Sequence, residues 1–502
     1  MFRRVLLAIV GVLLVLAVAL AAAAYWFLSG DGVRVALESQ ATKWLGQRVT
    51  IGAASARVFP RPAITLRDVR AGDPVRIMLA EVQLSTGLKP LWSHRIEDAE
   101  VSVANSRIDM PLPFTLPAPG ESRGASEAPA SGSVEVVSIR SIRLRNVTVA
   151  SRGRQITVSA DSSLSSAHVN LDRFTAATGK TALEASGIVQ LSPRFDARIA
   201  VKADHVDVDD LIALADAFAP RAPRRTASSA PLAGRIVARV SAATARAAGV
   251  DVRDFATDVV AQGNRITLSP ASFQLFGGSY HGALDVDAEP GALRATVRAQ
   301  IADLDVAQLA AFGGVADTIT GRLSGTGTFN GRGATIGDAI AAASGEGKVS
   351  IVNGVLTRLG LVRTVVLFFG RPAPDAGAST DNFDRIDASF ALVRQVVAAS
   401  ALSLHSPDLD LVGQGTLTIP TKALDGHMDL SLSEALSTQA GTDFARFTRE
   451  GNRILLPAVI GGTLDAPRVT IDAGAAVRRG LKNEVQRRLK DILDGIVPAP
   501  PD

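Results

Sequence analysis

Residues able to do covalent or metal chemistry are few in this chain and badly spaced for it. The six histidines, His94, His168, His205, His281, His405 and His427, are scattered. No two stand at the i, i+4 spacing that sets two imidazoles on one helix face. Gly277-Gly278-Ser279-Tyr280-His281-Gly282 brings a serine within two residues of a histidine. It lacks the spacing of a nucleophile elbow, and strand neighbours two apart point the same way without forming a triad, so a tight turn between two strands is expected. Gly345-Glu346-Gly347-Lys348 lacks the phosphate-loop spacing, and Gly325-x-Gly327 fails the dinucleotide pattern. Asp408 and Asp410 read as the polar face of a strand rather than a catalytic pair. With no cysteine, disulfides, thiolate metal sites and cysteine nucleophiles are excluded. No catalytic residue, metal ligand or cofactor is expected.

The elements that surround these residues are strands. In Leu293-Arg294-Ala295-Thr296-Val297-Arg298-Ala299-Gln300-Ile301 every odd position is apolar and every even one polar. The same alternation runs through 142–145, 284–287, 417–419 and 428–433, including Leu284, Val286, Leu417, Ile419, Leu430 and Leu432. Strands of this kind have one apolar and one wet face. Glycines such as Gly187, Gly282, Gly321, Gly354, Gly415 and Gly426 punctuate them at hairpin-like intervals. The prediction is a mainly β chain with a long antiparallel sheet and few short helices. Helices are expected over Val33–Trp44 and after Asp209 and Asp305, where an acidic residue near the first turn favours helix start. Leu359–Phe369 is apolar enough for a buried helix or strand. Asp207-Val208-x-x-Leu211 and Asp305-Val306-x-x-Leu309 each follow an alternating strand, which suggests one building block used twice.

Both ends of the chain bear on membranes. Val5 to Leu28 carries no charge and, as a helix, reaches ~36 Å, enough to cross a bilayer core of about 30 Å. Arg3 and Arg4 precede it, and Tyr25, Trp26 and Phe27 stand at its far end. That pattern predicts a single-pass anchor with a cytoplasmic amino terminus. A cleaved signal is the alternative, but its apolar region is usually about 7–15 residues. At the other end Val477, Leu481, Val485, Leu489, Ile492 and Ile496 recur at helical spacing, with Arg478, Arg479, Lys482, Arg487 and Arg488 on the rest of the surface. This basic amphipathic helix suits an anionic lipid surface or, equally, a cap over the end of a sheet.

Composition agrees with a sheet protein that does not need nucleic acid. Net charge is only +4 and aromatic content 5%, too little for base-stacking platforms. Stretches rich in Pro, Gly, Ser and Ala divide the chain. The expected order is an anchor at 1–30, a β region at 31–110, a loop at 111–133, a β repeat region at 134–218, a linker at 219–233, a second large β region at 234–475 and the basic helix at 476–497. Residues 371–380 form a shorter break of the same kind.

Several short motifs in order resemble the AsmA family of bacterial envelope proteins. The apolar anchor is followed by Leu45-Gly46-Gln47-Arg48-Val49-Thr50-Ile51-Gly52 and by Phe59-Pro60-Arg61-Pro62-Ala63-Ile64-Thr65-Leu66-Arg67-Asp68-Val69, similar to that family's amino-terminal signature. Leu275-Phe276-Gly277-Gly278-Ser279-Tyr280-His281-Gly282 resembles its recurrent glycine turn. Asn353-Gly354, Phe383-Asp384, Leu409 to Leu417 and Gly461-Gly462-Thr463-Leu464-Asp465-Ala466-Pro467 resemble its carboxyl-terminal region. The resemblance covers nearly the whole chain and brings no catalytic residues with it. It implies an inner-membrane anchor and a periplasmic, elongated, strongly curved sheet forming an apolar groove. It also implies a role in phospholipid transport or outer-membrane assembly.

Physics is compatible with that implication. A sheet with one apolar face must cover it, and in a trough acyl chains replace the second layer. Leu284, Val286, Leu293, Val297, Ile301, Leu417, Ile419, Leu430 and Leu432 are then the expected groove lining. Phospholipid and the inner membrane are the expected partners, with the outer membrane or an envelope protein met at the carboxyl-terminal end. A scaffold binding outer-membrane proteins by sheet-edge pairing is the alternative function. An envelope enzyme acting on polysaccharide would need paired carboxylates that the sequence does not offer.

Overall fold

The structure, a computed structural model, describes residues 30–57, 61–87, 95–96, 98–112, 135–136, 138–165, 167–218, 232–247, 249–289, 291–369, 381–439, 449–450, 453–478 and 485. The anchor expected at residues 5–28 lies outside them, as do most of the breaks at 111–133 and 219–233 and all of the one at 371–380. Among the described residues no helix is long and apolar enough to cross a membrane. The chain is mainly β, with few short helices, as its alternation predicts. It divides into two compact units, residues 1–266 and 267–502.

The first unit opens with helix α1 (Gly30–Leu45) and strands β1 (Val49–Arg57), β2 (Ala63–Ala71) and β3 (Ile77–Ser85). Short strands β4 (Arg95–Ile96), β5 (Ala99–Ala104), β6 (Arg107–Met110) and β7 (Glu135–Val136) follow. Then come β8 (Ile139–Ser151), β9 (Arg154–Leu164), β10 (His168–Ala177), β11 (Ala182–Gln190), β12 (Phe195–Asp207), helix α2 (Val208–Phe218), β13 (Leu232–Ala247) and β14 (Val250–Gly263). Antiparallel pairing runs β1–β2–β3–β5 and β8–β9–β10–β11–β12, and again β13–β14. Parallel pairing joins β5 and β6 to β8, and β12 to β13. The expectation of an antiparallel sheet therefore holds for most pairs and fails at these joints. Side-chain alternation reports which face a residue takes and carries no information on strand direction.

A dry core closes one part of this unit. Leu37 and Ala41, four apart on α1, are buried with Ile51, Leu66, Val69, Leu79, Val82, Val101 and Leu144. The helix also ties down the first strand. Glu38 accepts a hydrogen bond from the Ile51 amide (2.7 Å), and the Thr42 hydroxyl accepts one from the Val49 amide (3.0 Å).

The second unit holds β15 (Arg265–Leu275), within which the division falls, and β16 (Gly278–Glu289) and β17 (Ala292–Asp305). Helix α3 (Val306–Phe312), β18 (Arg322–Gly333), helix α4 (Ile336–Ala341), β19 (Ser344–Leu356) and helix α5 (Leu361–Phe368) come next. The remainder is β20 (Asp381–Val393), β21 (Val396–His405), β22 (Leu409–Thr418), β23 (Ala423–Leu432), helix α6 (Glu434–Gln439), β24 (Arg449–Glu450), β25 (Arg453–Thr463) and β26 (Ala466–Ile471). Every pairing from β16 to β23, then through β25 to β26, is antiparallel.

The repeated Asp-Val-x-x-Leu text marks the same event twice. Each time a strand ends on the aspartate and a helix starts on the valine. Asp305 accepts from the Ala307 and Gln308 amides (3.0 and 3.2 Å), and Asp207 from the Asp210 amide (2.8 Å). The chain then returns parallel after α2 and antiparallel after α3. Leu359–Phe369 resolves as a helix, α5, whose amide ends at Leu361 and Val362 are held by Asp381. The glycine turn is as expected: Phe276 and Gly277, both at positive φ, connect β15 to β16, and Ser279 and His281 lie on the strand.

Candidate functional site

In the second unit, register places one apolar face along successive strands. Leu284 opposes Val297, Val297 opposes Phe329, and Phe329 opposes Gly345, which opposes Leu392. Leu392 opposes Val397, Val397 opposes Leu417, and Leu417 opposes Leu424. Val286 pairs with Ala295 in the neighbouring row. Directly opposed residues share a face, so these side chains form a band across eight strands.

The opposite face is polar and laced with ion pairs. Arg298 reaches Asp285 at 2.9 Å, the Thr296 hydroxyl donates to Asn330 at 2.8 Å, and Thr328 opposes Glu346. Exposed pairs of this kind add only about 0–1 kcal/mol each. Their importance here is to mark which face meets water.

The apolar face is dry at one end of the strands and open at the other. At the dry end a row runs Ile351, Ile386, Leu404, Leu411, Leu430, Leu456. Leu430 and Leu456 are fully buried, Leu432 beside them is too, and Leu361 and Val365 of α5 and Leu436 of α6 pack into the same cluster. Leu304 and Leu323 continue the dry end beside α3. At the other end Leu284, Val286, Leu293, Val297, Phe329, Leu392, Val397, Leu417 and Leu424 are all only half-buried. Among the described residues no layer closes over them.

The floor of the open end is low. A Cβ on Gly345 would lie 2.6 Å from the Phe329 ring, and one on Gly347 would lie 2.7 Å from the Phe390 ring. The rings thus lie over glycines of the adjacent strand, with centroids 6.3 Å apart and planes 25° from parallel. Helix α4 sits at the margin of this end. A Cβ on Gly333 would be 2.5 Å from the Ala339 amide, while Ile336 and Ile340 point outward at 67% and 69% exposure.

The first unit repeats the arrangement. Val169, Val189, Ala197, Ile236 and Ala261 oppose one another in turn across β10 to β14, and Phe174, Ala185, Val201 and Val240 do the same two rows on. Of these, Ala185 and Ala197 are buried and the others half-buried. Arg239 with Asp258 and Arg173 with Glu184 lie on the outer face.

The expected lining residues do not fare alike. Leu284, Val286, Leu293, Val297, Ile301 and Leu417 stand half-buried on the apolar face. Leu430 and Leu432 share that face but belong to its dry end. Ile419 stands in the turn after β22, 50% exposed; the strand stops at Thr418 because Pro420 has no amide to extend the ladder. Of the basic helix, residues 473–478 and Val485 are described and helical, with Val477, Arg478 and Val485 exposed. Arg479, Lys482, Arg487 and Arg488 lie outside the described residues.

Sequence reasoning missed the ring-and-glycine floor. Its signal was present: Gly325, Gly327 and Phe329 keep the parity of Leu323. It also missed a surface cluster in which Asp410 takes hydrogen bonds from His405 and Arg453. Burial pushes the Asp410 carboxyl up, but these two donors outweigh it and hold the group below its ordinary range. The His405 side chain is 65% exposed, and Arg453 neutralises the carboxylate that would orient it, so the cluster is a surface ion ladder. Asp408 stands in the turn before β22 rather than on the strand. Among the described residues no three His, Asp or Glu side chains are grouped to hold a metal. No family model, curated protein or solved structure matches the chain.

Proposed function

We propose that this is an AsmA-type envelope protein that holds phospholipid acyl chains along the apolar face of its sheets. Residues 5–28 anchor it in the inner membrane, the sheet stands on the periplasmic side, and curvature of the sheet makes the open end a groove. The observation that supports this reading is the band of half-buried aliphatic and aromatic side chains from Leu284 to Leu424, backed by a polar face and, among the described residues, left without a second layer. An apolar band of that size is unfavourable in water unless something covers it. Acyl chains cover it without polar clamps, because each buried CH₂ contributes about 0.8 kcal/mol.

The low floor suits the same occupant. Glycines with rings laid over them leave depth for a chain while keeping the surface apolar. Many contacts of similar strength favour sliding over tight capture, so transport of phospholipid toward the outer membrane follows. The test is lipid mass spectrometry on the full chain purified in detergent. Phospholipid retained in stoichiometric amount is expected, and a lipid-free chain would refute the reading.

A further inference from the structure

The outer, polar face of the first unit carries a feature that the groove does not use. An open cleft of about 630 Å³ lies over β8, β9 and β10. Two irregularities shape it. The β8–β9 register shifts between Leu144 and Val147, and Asp172 of β10 opposes no residue on either neighbouring strand. Bulges bend a strand and re-aim its side chains. Ile142 and Leu144 point into the dry core, so Arg143 and Arg145 between and beyond them point into the cleft.

Four guanidinium groups line this one concavity, and they are not equally satisfied. Arg61 is held by Glu100 at 3.0 Å and Arg145 by Asp161 at 3.1 Å. Arg140 and Arg143 are exposed and, among the described residues, have no ion partner. Asp172 lines the cleft and, among the described residues, has no ion partner. Beside the two free arginines, Ser141 adds a hydroxyl and opposes both Glu100 and Ser163.

We propose that this cleft binds a phosphate-bearing anion through Arg140 and Arg143, with Arg61 and Arg145 pre-positioned by their carboxylates. Two unneutralised guanidiniums on one concave surface repel each other, and an anion between them removes that repulsion. The planar fork of arginine matches phosphate oxygens in pairs, which a lysine does not. Asp172 sets the polarity at the rim: it disfavours a bare polyanion and tolerates a phosphate carrying a neutral or cationic end. The cleft is on the polar face of the first unit, opposite that unit's own apolar rows, so an acyl chain lying on those rows cannot place its own headgroup there.

The experiment uses the full chain in detergent at low salt and measures binding by calorimetry. One arm uses inorganic pyrophosphate, a free phosphate anion; the other uses glycerophosphoglycerol, a lipid headgroup without its chains. Binding in either arm is expected, weakened about tenfold or more in R140Q/R143Q, strengthened in D172N, and weakened by salt. Tighter binding of pyrophosphate assigns the site to a soluble phosphoester, and tighter binding of the headgroup assigns it to a membrane surface. No binding in either arm, or affinity unchanged in both variants, overturns the proposal. Opposite signs for the arginine and aspartate variants exclude a simple folding defect. Failure here leaves the groove reading untouched, because no residue of the apolar face is altered.

Discussion

Strand β23 carries a control for the open face within itself. Leu424 and Leu430 are six residues apart, so both side chains take the apolar face. Leu430 is fully buried, packed between Leu411 and Leu456. Leu424 is half-buried at the other end. Replacing Leu430 with alanine removes three carbons and leaves a closed cavity, a change that costs about 3–5 kcal/mol. The same substitution at Leu424 removes three carbons that are only half out of water. At ~0.8 kcal/mol per carbon the full loss is about 2.4, and half of it about 1.2 kcal/mol, with no cavity added. Hydrogen exchange of peptides covering β22 to β25, on protein stripped of lipid, reports both variants through the same amides. L430A should lose protection by a factor of about 10² or more, and L424A by roughly tenfold or less. Equal losses would mean that a layer covers Leu424, and the open end would not exist.

Three further outcomes follow from particular contacts. Replacing Asp305 with alanine removes the acceptor for the Ala307 and Gln308 amides and should destabilise α3 by about 1 kcal/mol, read as faster exchange over 307–312. Gly347→Ala drives a Cβ against the Phe390 ring and the Thr326 carbonyl, so it should cost about 1–3 kcal/mol; a neutral effect would show that the ring does not lie over the glycine. Burial pushes the Asp381 carboxyl up from 3.8, against the Leu361 and Val362 amides that stabilise its charge. The folded state therefore keeps that proton to higher pH than the unfolded chain. Stability at the α5–β20 corner should fall as pH rises from 3.8 through the raised value and then level off. Asp381→Asn should remove that slope in exchange rates over 361–368.

Much of this fold is legible in the sequence because period-two alternation is a direct consequence of strand geometry. Leu293 to Ile301 reads correctly residue by residue, and the two Asp-Val-x-x-Leu segments mark helix starts because a short acceptor must hold the first free amides. Strand direction is not legible. Nothing in β12 or β13 announces that they pair in parallel, since that depends on the connection through α2 that separates them. Burial along a strand is not legible either. Leu417 and Leu430 look alike as text, and only the helices packed at one end make Leu430 dry and leave Leu417 half-open. The cleft arginines were equally hidden. Arg143 and Arg145 alternate like any polar face while Arg140 stands out of their parity, and it takes the register shifts at Arg140, at Asp172 and after Leu144 to gather them with Arg61.

The central claim is that lipid occupies the apolar face, and adjacent residues of β17 test it most directly. Val297 opposes Leu284 and Phe329 on the apolar face, while Arg298 pairs with Asp285 on the polar one. A photo-crosslinking residue placed at each position in turn, in the membrane-borne chain, reads occupancy without disturbing either neighbour strand. The account predicts phospholipid adducts at 297 and none at 298. Equal labelling at both positions, or protein adducts alone at 297, would contradict it.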